Sequence, residues 1–140
     1  MTFIFLTESF YADYAHCTEI EQKLTRPYTL ACVKLGDVTF AVPLRSHIQH
    51  PHVLWTDKAN GCGLDLSKTV VLTKESYIDT TRKPHIRPVE FDALRGKEHL
   101  IEQKLQKFIR TYQKAKLRQD VPRNRLLCAY STLQYFEEYL

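Results

Sequence analysis

Two β-prone runs joined by a very short connection constrain the fold of this chain most strongly. The runs are Tyr28–Leu35 and Val38–Leu44, and Gly36-Asp37 lies between them. A two-residue Gly-Asp connection favours a β-hairpin, because glycine readily adopts the positive φ that a tight turn requires. Pro43 has no N–H to donate, so we expect regular strand pairing to loosen there and a loop to begin near Arg45.

The second half of the chain has the period of a helix. Apolar side chains recur at steps of three and four residues, which places them on one helical face: Ile101, Leu105, Phe108, Ile109 and Tyr112. Basic side chains project from the opposite face: Lys104, Lys107, Arg110, Lys114 and Arg118. This predicts a long basic amphipathic helix that Pro122 ends, followed by a shorter helix over 126–140.

The order of these patterns predicts an α+β fold. A third strand is expected over 69–72, after a turn at 60–63. Strands first and helices later are typical of helices packed on a twisted antiparallel sheet. A length of 140 residues is close to the commonest single-domain size, so we expect one domain over 1–140.

The charge of the chain is concentrated in its second half. Residues 1–70 carry six Lys and Arg against seven Asp and Glu, whereas residues 71–140 carry fourteen against nine. Between Lys104 and Arg125, eight basic residues are accompanied by only one acid, Asp120. A basic half on a small domain favours a polyanionic partner, of which nucleic acid is the commonest.

Other features of the sequence indicate a cytoplasmic protein with no membrane partner. No apolar run approaches the ~18 residues that a membrane-spanning helix needs. The apolar start of the chain lacks a preceding basic region, so we expect no signal peptide. The four cysteines contain no CxxC pair, which is the plain pattern of a reducing compartment.

The segment Phe40–His52, with the sequence FAVPLRSHIQHPH, carries the residues best suited to chemistry. Polar groups gather where a strand is expected to become a loop: Arg45, Ser46, His47, Gln49, His50 and His52. Three interpretations stay open: a surface loop that accumulates histidines, a metal site made of imidazoles, and metal-free phosphodiester chemistry. The metal interpretation has less support, because no acid or cysteine stands within the loop.

The run from Phe40 to His47, with Lys34 on the preceding strand, resembles the toxins of type III toxin–antitoxin systems. These are the ToxN, AbiQ and CptN group, and the chain is most similar to the TenpN branch. The resemblance extends through Gly63–Leu72 and the late basic helix, and so covers the chain from about Tyr11 to its end. Its most specific part is the Pro-Leu-x-Ser element that follows a strand.

The resemblance implies a fold, an activity and a set of partners. The implied fold is a twisted antiparallel sheet close to an SH3-like, ToxN-like barrel, flanked by helices. The implied activity is sequence-selective RNA cleavage without metal or cofactor, in which a 2′-hydroxyl attacks its own phosphate and leaves 2′,3′-cyclic phosphate and 5′-hydroxyl ends. Such toxins are inhibited by a small repeated, pseudoknotted RNA that they process, in a higher-order complex that serves in phage defence.

The chemistry of the Phe40–His52 segment and the family resemblance together indicate candidate site residues. The expected catalytic residues are Lys34, Arg45, Ser46, His47 and His50. The expected RNA-binding residues are Tyr11, Arg26, Tyr28, Lys104, Lys107, Lys114, Lys116, Arg118, Arg123 and Arg125. Relatives tend to carry a lysine two or three residues beyond the serine, where this chain has Ile48 and Gln49. Either Lys34 or Arg45 therefore takes the cationic role, or the histidines act as the acid–base pair.

Two other functions remain open from the sequence. One is a basic RNA-binding module in which the loop histidines touch phosphate without catalysis. The other is an RNase toxin of the MazF/Kid type, which a protein rather than an RNA inhibits.

Overall fold

The structure, a computed structural model, describes residues 1–21 and 28–140. Its described residues form six strands: β1 Phe3–Ile4, β2 Leu30–Leu35, β3 Val38–Arg45, β4 Val53–Asp57, β5 Cys62–Asp65 and β6 Val70–Val71. They also form four α-helices: α1 Glu8–Asp13, α2 Pro88–Leu94, α3 Glu98–Leu117 and α4 Pro122–Tyr130. The fold is therefore α+β, as predicted.

The predicted hairpin is confirmed. Strands β2 and β3 pair antiparallel from Leu35↔Val38 to Leu30↔Pro43, and Gly36 in the turn has a φ of 61°. The expectation that a loop begins near Arg45 is confirmed, because β3 ends at Arg45. Pairing with β2 does end at Pro43, but β3 continues to Arg45 because it changes partner and pairs with β5.

All six strands belong to one antiparallel open sheet. Its order is β1-β2-β3-β5-β4, with β6 pairing with the first half of β3. The predicted third strand is confirmed as β6, over Val70–Val71. The expected turn at 60–63 is confirmed only at Asn60 and Gly61, because Cys62 and Gly63 lie within β5 and pair with β4. A Cβ at Gly63 would lie 2.6 Å from the Leu54 carbonyl oxygen, so only glycine fits this close strand pairing.

The long helix is also confirmed, as α3 over Glu98–Leu117. It packs its apolar face into the core through Ile101, Leu105, Phe108, Tyr112 and Ala115. The end of the chain differs from the prediction. Pro122 occupies the first turn of α4, where its missing N–H costs nothing, and residues 132–139 form short 3-10 turns instead of a continued helix.

One hydrophobic core runs through the described residues, between the sheet and the helices. Its fully buried side chains come from both halves of the chain, among them Phe10, Leu64, Leu105 and Phe136. Within the described ranges, no helix is both long enough and apolar enough to cross a membrane.

Candidate active site

The turn after β3 presents two of the predicted catalytic residues to solvent. Ser46 and His47 are exposed, and His47 has a φ of 55°, which is uncommon for any residue other than glycine. The turn is held against the β4–β5 connection, because the Ile48 N–H donates to the Gly61 carbonyl oxygen at 3.0 Å. The Ser46 hydroxyl and the His47 imidazole therefore stand on a turn whose backbone is held in place by this hydrogen bond.

A buried carboxylate, Asp65, contacts residues on both sides of this turn, Arg45 before it and His50 after it. The Asp65 side chain is 0% exposed, and its Oδ2 accepts a hydrogen bond of 2.6 Å from Arg45 Nη1. Its Oδ1 accepts from the Ser67 N–H at 3.0 Å and from Ser67 Oγ at 2.6 Å, and lies 3.1 Å from His50 Nε2. Burial alone raises the pKa of Asp65, but the hydrogen bonds from His50, Ser67 and Arg45 outweigh it and lower that pKa.

Both ring nitrogens of His50 are hydrogen-bonded inside the protein. Its Nδ1 accepts from the His52 backbone N–H at 3.1 Å, which assigns the ring hydrogen to Nε2 and makes Nε2 the donor to Asp65. His52 lies beside it, with its ring centroid 5.2 Å from that of Phe108, and burial lowers the pKa of His52. The arrangement gives His50 a positioning role on Asp65 and leaves neither nitrogen for a substrate.

The opposite side of the Arg45 guanidinium contacts a second carboxylate. Arg45 Nη2 donates to Glu21 Oε1 at 2.9 Å, and the Tyr28 hydroxyl donates to Glu21 Oε2. The guanidinium carbon also lies 5.8 Å from the centroid of the Tyr28 ring. Arg45 is therefore held between the buried carboxylate of Asp65 and the half-exposed carboxylate of Glu21.

An open cleft of about 410 Å³ lies in front of these groups. Its lining includes Tyr28, Arg45 and Ser46 from the predicted site, and His85 and Arg87 from the segment before α2. His85 and Arg87 were missed by the sequence reasoning. The signal that could have found them is the stretch Arg-Lys-Pro-His-Ile-Arg-Pro at 82–88, which places one imidazole and one guanidinium between two prolines, directly after two further cations.

The guanidinium of Arg87 is anchored at the cleft but remains half-exposed. Its Nε donates to Glu90 Oε1 at 3.2 Å, and its Nη2 lies 3.5 Å from Asp57 Oδ2. Glu90 is nearly buried, and its other oxygen accepts from Thr56 Oγ1 at 2.6 Å. The Glu90 carboxylate is thus satisfied by the protein, and it holds one edge of the Arg87 guanidinium at the cleft.

Lys34 does not join this cleft. It is exposed on β2 and pairs in register with Thr39, six residues along β3 from Arg45. At about 3.3 Å per residue, this separates the backbones of Lys34 and Arg45 by roughly 20 Å.

The predicted RNA-binding residue Tyr11 lies elsewhere. It is buried in the core, in edge-to-face contact with Phe10, with 5.5 Å between the ring centroids. Arg26 lies outside the described residues.

The predicted RNA-binding residues between Lys104 and Arg125 divide into two groups. Lys104, Lys107 and Lys114 are exposed along α3, and Lys104 and Lys107 line a second cleft of about 270 Å³ together with His52 and Thr111. Arg123 is exposed at the start of α4, as is Arg125, which donates to the Gln119 carbonyl oxygen at 3.2 Å. Acids partner the other two residues: Lys116 pairs with Glu137, and Arg118 pairs with Asp120 at 3.2 Å.

Across the described ranges, no group of three or more His, Cys, Asp or Glu side chains is placed to hold a metal ion.

The chain was also compared with known proteins at three levels. No family model, curated protein or solved structure matches it.

Proposed function

We propose that the protein is a metal-independent, sequence-selective endoribonuclease, the toxin of a type III toxin–antitoxin system. The observation that carries the proposal is the composition of the 410 Å³ cleft. Two guanidinium groups, an imidazole and two hydroxyls converge there, from Arg45, Arg87, His85, Ser46 and Tyr28. Cleavage of RNA by its own 2′-hydroxyl needs a proton acceptor, a proton donor and cations against the phosphate, and these residue types supply them.

The proposal assigns charge stabilisation to Arg87. Its side chain is 50% exposed, so its guanidinium keeps N–H groups for a phosphate while Glu90 holds the other edge. The Ser46 hydroxyl, exposed on its turn, donates to a non-bridging phosphate oxygen. Arg45 binds the same phosphate from the cleft wall, oriented by Asp65.

Proton transfer is assigned to His85 and His47. His85 lines the cleft and is exposed, and His47 adjoins Ser46 on the same turn. An imidazole titrates near neutral pH and can both accept the 2′-hydroxyl proton and protonate the leaving 5′-oxygen. These two residues replace His50, whose nitrogens are engaged by Asp65 and by the backbone.

The proposal extends to the partners of the toxin. The exposed Lys104, Lys107 and Lys114 form a cationic row that suits the phosphates of a folded RNA, so α3 binds the small repeated, pseudoknotted antitoxin RNA. The sheet is the twisted, SH3-like sheet of the ToxN group, and β3 supports this by pairing with β2, β5 and β6 along its length. The toxin and its RNA act in the cytoplasm as a higher-order complex.

A cleavage assay tests the activity. The purified protein should cut single-stranded RNA in the presence of EDTA and leave 2′,3′-cyclic phosphate ends, and a substrate with a 2′-deoxy sugar at the cut should be inert. Cleavage that disappears in EDTA and returns with a divalent ion would refute the metal-free mechanism.

A non-catalytic RNA-binding module is the second candidate. It is favoured by the Asp65 cluster, because the protein already satisfies Arg45 and His50 and both are structural in this arrangement. Tight RNA binding with no cleavage of any RNA, including RNA that co-purifies with the protein, would establish that function instead.

A further inference from the structure

A carboxylate of the protein occupies the position where Arg45 and Tyr28 could bind an anion. Glu21 accepts from Arg45 Nη2 through one oxygen and from the Tyr28 hydroxyl through the other. The Glu21 side chain is 41% exposed, so this contact is at the surface and open to exchange with solvent. Arg45 and Tyr28 line both the open cleft and a small inner cavity of about 30 Å³.

The Arg45 guanidinium is held in place without help from Glu21. Asp65, which is fully buried, fixes the other edge of the Arg45 guanidinium at 2.6 Å, and the Tyr28 ring lies against the same guanidinium. A guanidinium N–H and a phenol hydroxyl that converge on two carboxylate oxygens suit two oxygens of a phosphate equally well. The Arg45 guanidinium and the Tyr28 hydroxyl therefore form a site whose chemistry suits an anion.

We infer that this site binds a phosphate of the RNA substrate, and that Glu21 is a built-in competitor which fills it in the free protein. This inference rests on the proposed function for the identity of the anion. RNA binding then has two parts: the phosphate enters between Arg45 and Tyr28, and the Glu21 carboxylate gives up its contacts with these two donors. Glu21 lowers the affinity of the cleft for any single phosphate and favours ligands that make further contacts with Arg87 and Ser46.

The size of the effect follows from the exposure of the contact. A half-exposed ion pair and its hydrogen bonds shift an equilibrium by a modest factor, up to about fivefold. When Glu21 fills the site, only the remaining molecules can bind a phosphate. The apparent affinity for the phosphate is therefore reduced by the factor by which Glu21 shifts this equilibrium. Removal of the Glu21 charge should therefore tighten phosphate binding by about two- to fivefold.

The test compares Glu21→Gln with Glu19→Gln in the full chain. Both variants remove one negative charge at the inner cavity, but the Glu19 carboxylate contacts Tyr135 and Thr18 instead of Arg45 or Tyr28. The probe is a single-stranded RNA octamer with 2′-O-methyl groups, which cannot be cleaved, and its dissociation constant is measured at fixed salt. Glu21→Gln should bind the probe about two- to fivefold more tightly than Glu19→Gln, and both should melt as cooperatively as the natural protein.

A second variant tests the donors. In the Glu21→Gln background, Tyr28→Phe removes one of the two donors and should reverse most of the gain. Equal affinities for Glu21→Gln and Glu19→Gln would overturn the inference. They would mean that loss of either negative charge has the same effect on RNA binding, and that Glu21 does not compete with the phosphate. An unchanged gain in the double variant would also overturn the inference. Since the probe has no 2′-hydroxyl, its binding is independent of catalysis, and tighter binding by a protein that cleaves no RNA would refute only the nuclease activity.

Discussion

The Asp65→Asn variant tests whether the buried carboxylate organises the end of the sheet beneath the cleft. In the structure, Asp65 receives hydrogen bonds from Arg45 and His50 and from both the N–H and the hydroxyl of Ser67. Asparagine has nearly the same shape but no charge, and its amide nitrogen would face a donor. The substitution leaves the partly buried Arg45 guanidinium with Glu21 as its remaining carboxylate partner.

The expected cost can be worked from burial. Loss of one partner from a buried ion pair costs about 3–5 kcal/mol in the free energy of unfolding, because a charge is left uncompensated. The low end of this range, about 3 kcal/mol, applies here because the Arg45 side chain is 20% exposed and keeps its contact with Glu21. For a chain of this length, that corresponds to a fall of roughly 10 °C in the melting temperature.

The dependence on pH gives a second measurement of the same contact. The pKa of Asp65 is lowered in the folded protein, so the carboxylate contributes stability above the ordinary aspartate range near pH 4. That contribution disappears as the pH falls through the lowered pKa, since the folded protein must then take up a proton that the unfolded chain already holds. The gap in stability between the natural protein and Asp65→Asn should therefore be full at pH 7 and shrink in acid.

Denaturant unfolding and thermal melts at several pH values measure both effects. Asp92→Asn is the matched control, because Asp92 pairs with Arg95 on the surface and its side chain is 65% exposed. The control should melt within about 2 °C of the natural protein. If Asp65→Asn also melts within 2 °C, or if its deficit is unchanged between pH 7 and pH 3, the Asp65 cluster does not carry the stability argued for it.

Three further predictions concern the cleft, the basic helix and the sheet. His85→Ala should lower the rate of RNA cleavage by about 10²–10⁴ with an unchanged melting temperature, and a full rate would remove His85 from proton transfer. The triple variant Lys104→Glu, Lys107→Glu, Lys114→Glu should weaken antitoxin RNA binding and make its log–log salt dependence shallower, by roughly 0.7–0.9 per lost phosphate contact, while cleavage of a short substrate survives. An unchanged salt slope would place the antitoxin elsewhere. Gly63→Ala should destabilise the chain by about 1–3 kcal/mol, because the added Cβ would lie 2.6 Å from the Leu54 carbonyl oxygen, and chemical denaturation that shows no loss would contradict this close pairing.

The parts of the fold that the sequence predicted are those governed by local rules. The β2–β3 hairpin depends on Gly36 between two β-prone runs, and α3 depends on a three- and four-residue apolar period. Strand β5 was missed because Gly63 reads as a turn residue, whereas here it permits the close approach of β4. Nothing in the local sequence distinguishes these two uses of glycine.

The candidate site shows the same division. The sequence alone determined that Arg45, Ser46 and His47 stand together at the end of a strand, since neighbours in the chain stay neighbours in space. Only the tertiary structure decided their partners: β3 pairs with β5 and brings Asp65 to Arg45 across twenty residues, and the segment before α2 brings His85 to the cleft. The reason is physical. Secondary-structure propensity and hydrophobic period depend on residues that are close together in the chain. The donors around a buried carboxylate are brought there by strand pairing and core packing, which join distant segments of the chain.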